Sequence, residues 1–144
     1  MNNEEIEKLE EAWLQVDQVE CPLTHHFAPG VYLREIFMPQ GAFVIGAEHK
    51  TEHLNIVLKG RVLVAIHDEV KAIEAPYTFI SGPGIRKMLY IVEDTIWQTI
   101  HPTNEKDLQK LEDLLVVKSP TFEKFVKQKQ LLDQEKLSLT RKGE

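Results

Sequence analysis

GAEHKTEHLNIVLKG, residues 46–60, is the stretch on which the reading of this chain turns. His49 and His53 precede an apolar run that closes on Lys59-Gly60-Arg61, and RVLVAIH follows. A strand, a glycine turn and a second strand read as a β-hairpin. Polar groups gathered where such a hairpin begins mark a candidate pocket mouth in a β-barrel. Alternation along the first strand puts His53, Asn55 and Val57 on one face and Leu54, Ile56 and Leu58 on the other.

The β texture extends in both directions from there. VYLREIFM, residues 31–38, alternates Val31, Leu33, Glu35 and Phe37 against Tyr32, Arg34, Ile36 and Met38. Pro39-Gln40-Gly41 turns the chain into AFVIG. After the hairpin come VKAIEA, PYTFI, the tight segment SGPGIRK, MLYIV and TIWQTIH, with Trp97, Thr99 and His101 sharing a face of the last. Short strands separated by Gly, Pro or acidic turns predict a mainly β sandwich or closed barrel. Residues 20–30, ECPLTHHFAPG, read as a loop from their Pro and Gly content, with His25 and His26 solvated in it.

Helices are expected at both ends. Ile6, Leu9, Trp13 and Val16 recur at steps of three and four, which predicts a helix over 2–16 capped by Asn2 or Asn3. Beyond His101, Thr103 or Asn104 can cap a helix bearing Leu108, Leu111, Leu114 and Leu115. Ser119-Pro120 starts another, with Phe122, Phe125, Val126 and Leu132 as its stripe. The expected organisation is an N-terminal helix over 1–20, a β-barrel over 21–102 and a helical extension over 103–144. The apolar stripes of the flanking helices predict a homodimer or larger homo-oligomer.

The chain of 144 residues supports one domain with one core. Lys and Arg number 17 against 23 Asp and Glu, a formal net charge of −6. That balance argues against a nucleic-acid polymer or an anionic membrane as partner. It leaves room for a small anionic ligand held by a local cation. No apolar run is long enough to span a bilayer, and the acidic N-terminus is unlike a secretory signal. Cys21 is the only cysteine, so no internal disulfide forms and a cytoplasmic setting is expected.

Two chemistries compete for the polar groups. On a straight strand His49 and His53 lie ~13 Å apart at ~3.3 Å per residue. They share a metal only if Lys50-Thr51-Glu52 bends the chain. HKTEH also matches H-x-x-E-H, but that pattern works on a helix, and a β segment follows here. The second chemistry is anion recognition: Arg86, Lys87, the Gly82-Pro83-Gly84 turn and the imidazoles suit a phosphate or carboxylate. Tyr32, Tyr77, Tyr90 and Trp97 are candidates to stack a base or sugar, although Tyr32 and Tyr90 read better as core.

The core, about 30–101, resembles the cupin superfamily, a small jelly roll. Aligning the last glycine of the family's first motif on Gly60 puts His53 at its glutamate, His49 at its second histidine, Ala47 at its first and Gly41 at its opening glycine. In the second motif Gly82 and Gly84 match, Lys87 stands at the histidine and Ile91 at the asparagine. The chain as a whole also resembles small cupin-like proteins encoded in bacteriophage genomes, through THHFAPGVYLREI, HKTEHLNIVLKG and DTIWQTIHPTNEKDLQKLED. This resemblance implies a single cupin barrel whose interior receives His49, His53, Lys87 and His101. Of the family's four metal ligands only His49 keeps the expected type; one divalent transition metal on His49, His53 and His101 is a candidate, and Lys87 counts against it because its ammonium repels a cation. With Arg86 and Trp97 added, these residues form the expected ligand-binding set.

Three functions are compatible with that set. The first is a binding module for a small anionic or nucleotide-like molecule, which in a phage setting would sequester a host signal in the host cytoplasm. The second is an enzyme, either metal-dependent through His49 and His53 or metal-free and similar to sugar-nucleotide epimerases of this fold, with a histidine base and Lys87 stabilising developing charge. The third is an assembly role carried by the flanking helices.

Overall fold

Seven strands and a two-turn helix follow one another among the residues described by the computed structural model, which are 2–6, 8, 20–46, 48–66, 69–117 and 127. The strands are β1 (Leu23–Ala28), β2 (Val31–Met38), β3 (Phe43–Ile45), β4 (His53–Ile66), β5 (Glu69–Glu74), β6 (Tyr77–Ser81) and β7 (Lys87–Pro102), and the helix is α1 (Leu108–Leu115). Residues 3–6 form a further helical turn.

The two longest strands organise the sheet. β4 and β7 pair antiparallel from Leu54↔Ile100 to Ile66↔Lys87. The first part of β4 also pairs with β6 and the last part with β5. In the same way β7 pairs with β3 near its start and β2 near its end, and β1 extends the sheet beyond β2. The seven described strands therefore form one antiparallel sheet with a corner across its middle.

Gly60 sits at that corner, and here the structure departs from the expected hairpin. Lys59-Gly60-Arg61 does not reverse the chain: β4 runs straight through it for 14 residues. Gly60 has φ +98°, and the β4–β7 register shifts between Val57 and Val62. A glycine at positive φ serves a bulge as well as a turn, and a bulge bends a strand pair without ending it. The opposite strand comes so close that a Cβ on Gly60 would lie 2.4 Å from the Asp94 carbonyl oxygen. For the same reason MLYIV and TIWQTIH, expected as two strands, are one strand of 16 residues. Glu93 and Asp94 occupy the bend, not a loop.

The expected loop over 20–30 is also corrected. Pro22 and Pro29-Gly30 bound a strand, β1, which pairs with β2 from Leu23↔Ile36 to Ala28↔Val31. Gly30, at φ +77°, turns the chain between the two. The cap of α1 is Asp107, whose carboxylate accepts from the Lys110 N–H; Asn104 instead accepts from the Gly30 N–H. The helix expected after Ser119-Pro120 and most of the helix over 2–16 fall outside the described residues.

The main core gathers Met38, Ala42, Val57, Val62, Val64, Ile73, Leu89, Ile91 and Trp97 from both sides of the corner. Burying each such aliphatic side chain stabilises the fold by about 1.5–3 kcal/mol. Inward-facing positions grow more polar away from it. β2 runs Ile36, Arg34, Tyr32; β7 runs Trp97, Thr99, His101; β4 runs Val57, Asn55, His53. Strand register aligns these into successive layers, so the polar groups collect at one end of the barrel. α1 covers that end by packing Leu111 and Leu115 against Tyr32.

Candidate metal centre

His53 and His101 arrive on neighbouring strands of one sheet face, whereas His49 arrives from outside the sheet. The chain bends at Lys50 and Thr51, which brings the His49 and His53 rings to a centroid separation of 4.2 Å. His101 lies 5.0 Å from His53 and 5.5 Å from His49. One ring nitrogen from each of the three falls within 4.8 Å of the others. Metal–imidazole bonds of ~2.0–2.1 Å at a tetrahedral centre need nitrogens about 3.4 Å apart. Small ring rotations close that difference.

The loop carrying His49 is held from three directions. His49 forms a β-bridge with Val116, just past α1: Lys50 N–H donates to the Leu115 carbonyl and Val117 N–H to the Glu48 carbonyl, each at 2.8 Å. Gly84 N–H donates to the His49 carbonyl at 2.9 Å. The Asn3 amide donates to Glu48 Oε1 and to the Gly84 carbonyl.

The ring nitrogens suit a cation. His53 Nδ1 lies 3.0 Å from the Thr51 carbonyl, an acceptor only, so Nδ1 carries the proton and Nε2 has a free lone pair. That Nε2 is buried and has no hydrogen-bond partner, and the same is true of Nδ1 of His49 and of His101. Three orphaned nitrogens in one imidazole cluster are costly in the metal-free fold, and a metal ion shared by the rings would relieve that cost.

The electrostatics keep the rings neutral. Burial pushes His49 down to about 3, helped by the fields of His53, His101, Lys87 and Arg34. Burial, then His53 and Arg34, push His101 down to about 4. His53 is also lowered, chiefly by burial, against the Thr51 hydrogen bond. At neutral pH no proton competes for these lone pairs.

Of the other residues expected at the site, Lys87 is buried at 8% exposure, with Nζ 6.0 Å from the Phe79 ring centroid and its pKa pushed down by burial to about 8. Arg86 is buried alongside, and its Nε donates to the Gly46 carbonyl at 3.1 Å. Trp97 lies two layers below the histidines; its Nε1 donates to Asn55 Oδ1, while the Asn55 amide donates to Ser81. Tyr77 and Tyr90 are exposed, so Tyr90 is not the core residue its sequence context suggested. Tyr32 is core: it stacks on His101 and shares a 2.7 Å hydrogen bond with His25 Nδ1. His25 is therefore not a solvated loop histidine, and burial lowers its pKa.

Sequence reasoning missed Arg34. It occupies the inward face of β2 beside Tyr32, and its charge is felt at His49 and His101. The alternation of VYLREIFM grouped it with Tyr32, Ile36 and Met38, which was the available signal.

The strands and the three-imidazole cluster together define a β-barrel with a candidate metal centre at one end. Solved structures place that barrel among known folds. A cupin superfamily protein from Desulfitobacterium hafniense superposes with a TM-score of 0.52 at 10% identity, over 60% of this chain and 81% of that one. The cupin domain of Cnp3 from Schizosaccharomyces pombe gives 0.51 at 17% identity, over 70% and 76%. The fold is thus the cupin jelly roll. No protein-family model matches the chain, and no curated protein matches it.

Proposed function

We propose that this protein holds one divalent transition metal through His49, His53 and His101 and binds a small anionic ligand beside it. The observation that carries the reading is the cluster of three imidazoles, each bringing one ring nitrogen within 4.8 Å of the others and each carrying a buried nitrogen without a hydrogen-bond partner. Three neutral nitrogen donors suit Zn²⁺, Fe²⁺, Co²⁺, Ni²⁺ or Cu²⁺ and leave coordination positions for water or ligand. Bound there, a metal supplies a Lewis acid. Lys87 favours an anion as the ligand, since its ammonium lies close enough to lower the pKa of His49 and His53.

A nucleotide-like ligand has less support. Trp97 is committed to Asn55, Tyr77 and Tyr90 are exposed on other parts of the sheet, and Tyr32 already spends its ring on His101. The test is elemental analysis of full-length protein purified without chelator, followed by Co²⁺ titration watched by visible absorption. We expect one metal ion per chain and a cobalt spectrum that His53→Ala and His101→Ala abolish. Protein that is folded, metal-free and unable to take up cobalt excludes this reading.

A further inference from the structure

We infer that Arg34 and Lys87 hold the two ends of a small dicarboxylate bound beside the three histidines. The inference rests on the metal-site reading for the ligand's location and goes beyond it in naming Arg34 and the ligand class.

Strand register supplies the geometry. Tyr32 pairs with His101, and one inward step along the sheet Arg34 pairs with Thr99, Thr99 with Asn55, and Asn55 with Phe79. Arg34 therefore enters from the β2 side of the layer next to the histidines. Lys87 lies over Phe79, on the β6 side of the same layer. Three strand spacings of about 4.8 Å separate those two positions along the curved wall. The cations thus approach from opposite sides.

Among the described residues, the side chains of Arg34 and Lys87 form no hydrogen bond and no ion pair. At Arg34 burial lowers the pKa, and the fields of Tyr32, of Glu112 on α1 and of Cys21 act against it. Burial lowers the pKa of both groups, yet a guanidinium keeps its proton, and an ammonium titrating at about 8 keeps most of its own at neutral pH. Lys87 is buried and Arg34 half-buried, and unpaired charge so placed is costly to the fold unless something binds to it. Between the two lies Thr99 Oγ1, buried and without a partner, while the Asn55 amide is spent on Trp97 and Ser81. The layer thus offers a planar fork at one end, a point charge at the other and a hydroxyl between. A carboxylate fits the fork in bidentate fashion, and a second carboxylate answers the lysine. A monocarboxylate leaves one cation unmatched.

The test is isothermal titration of the full-length, cobalt-loaded protein with the linear dicarboxylates from malonate to adipate, the monocarboxylates of equal length, and inorganic phosphate. Metal content is measured on the same samples. We expect at least one dicarboxylate to bind at least about tenfold more tightly than its monocarboxylate partner. Arg34→Gln and Lys87→Gln should each erase that preference with metal content undiminished, and Arg34→Lys should retain part of it. The wild-type comparison stands even if a variant fails to fold. Equal binding of mono- and dicarboxylates, no binding by any member of the series, or phosphate binding as tightly as the best dicarboxylate overturns the inference. Cobalt uptake without dicarboxylate preference defeats this inference alone. Arg34-dependent dicarboxylate preference in protein that takes up no metal supports it while defeating the metal reading.

Discussion

His49 and Val116 form an antiparallel β-bridge, so the segment leaving α1 helps to fix the imidazole that is not anchored in the sheet. His53 and His101 are held by long paired strands, but His49 depends on its loop, which accepts hydrogen bonds from Val117 and Gly84 and donates one, from Lys50, to Leu115. Outer partners of metal ligands are commonly worth 10–100-fold in metal affinity. Val117→Pro removes the N–H that donates to Glu48, and the preceding residue tolerates a proline there, because Val116 is already extended at φ −122°, ψ 137°. We expect metal affinity to fall about tenfold or more in a competitive chelator titration, with the cobalt spectrum at saturation still showing three nitrogen donors. Wild-type affinity in this variant would show that the bridge does not position His49.

Gly60 carries the corner of the sheet. Gly60→Ala places a methyl carbon 2.4 Å from the Asp94 carbonyl oxygen and the Thr95 hydroxyl, at a backbone φ of +98°. The contact is with backbone on one side, so it cannot be relieved by rotating a side chain. We expect a loss of more than about 2 kcal/mol in urea unfolding, well above the ~1 kcal/mol typical of point substitutions. A change below 1 kcal/mol would show that the corner is more pliable than the close approach of β4 and β7 implies.

Alternation exposed most of the fold, because a half-buried strand repeats every second residue whatever it pairs with. It could not tell a turn from a bulge at Gly60, since both use a glycine at positive φ and only the partner strand decides. It also missed β1, where LTHHFA has little β-branched character and owes its conformation to pairing with β2. At the site, His49, His53 and Lys87 were legible through motif spacing and His101 through its strand face. Arg34 was not: VYLREIFM has apolar residues on both faces, so the period identifies two faces without saying which is inside. Tyr90 failed for the same reason, because Leu89 and Ile91 take the interior and leave it outside.

Acid should weaken the metal-free fold through the buried imidazoles. His101 titrates at about 4 and His49 at about 3 in the folded chain, against roughly 6.5 when unfolded. Between those values the unfolded chain binds protons that the folded one refuses, so stability falls as pH drops from about 6.5 towards 4. Each such histidine contributes up to about 1.4 kcal/mol per pH unit. In chelator-treated protein, the urea midpoint should fall from pH 7 to pH 5, and His101→Asn should flatten that slope. An unchanged slope in His101→Asn would mean that His101 gains its proton in the folded state as easily as in the unfolded one.

Lys87 sets metal and anion against each other. Its ammonium lowers the pKa of His49 and His53 and in the same way opposes a metal cation between them. Its pKa of about 8 lies within reach of an ordinary titration. Below that value the ammonium favours an anionic ligand and disfavours the metal; above it both effects disappear. Lys87→Met keeps the apolar stem over Phe79 and deletes the charge. We expect this variant to bind zinc at least about threefold more tightly than wild type at pH 7. The gap should close by pH 9 as the wild-type lysine deprotonates, and the variant should bind dicarboxylates more weakly at pH 7. Identical zinc affinity in both proteins at pH 7 would place the ammonium too far from the histidines to act on the metal, and Lys87 would then serve the anion alone.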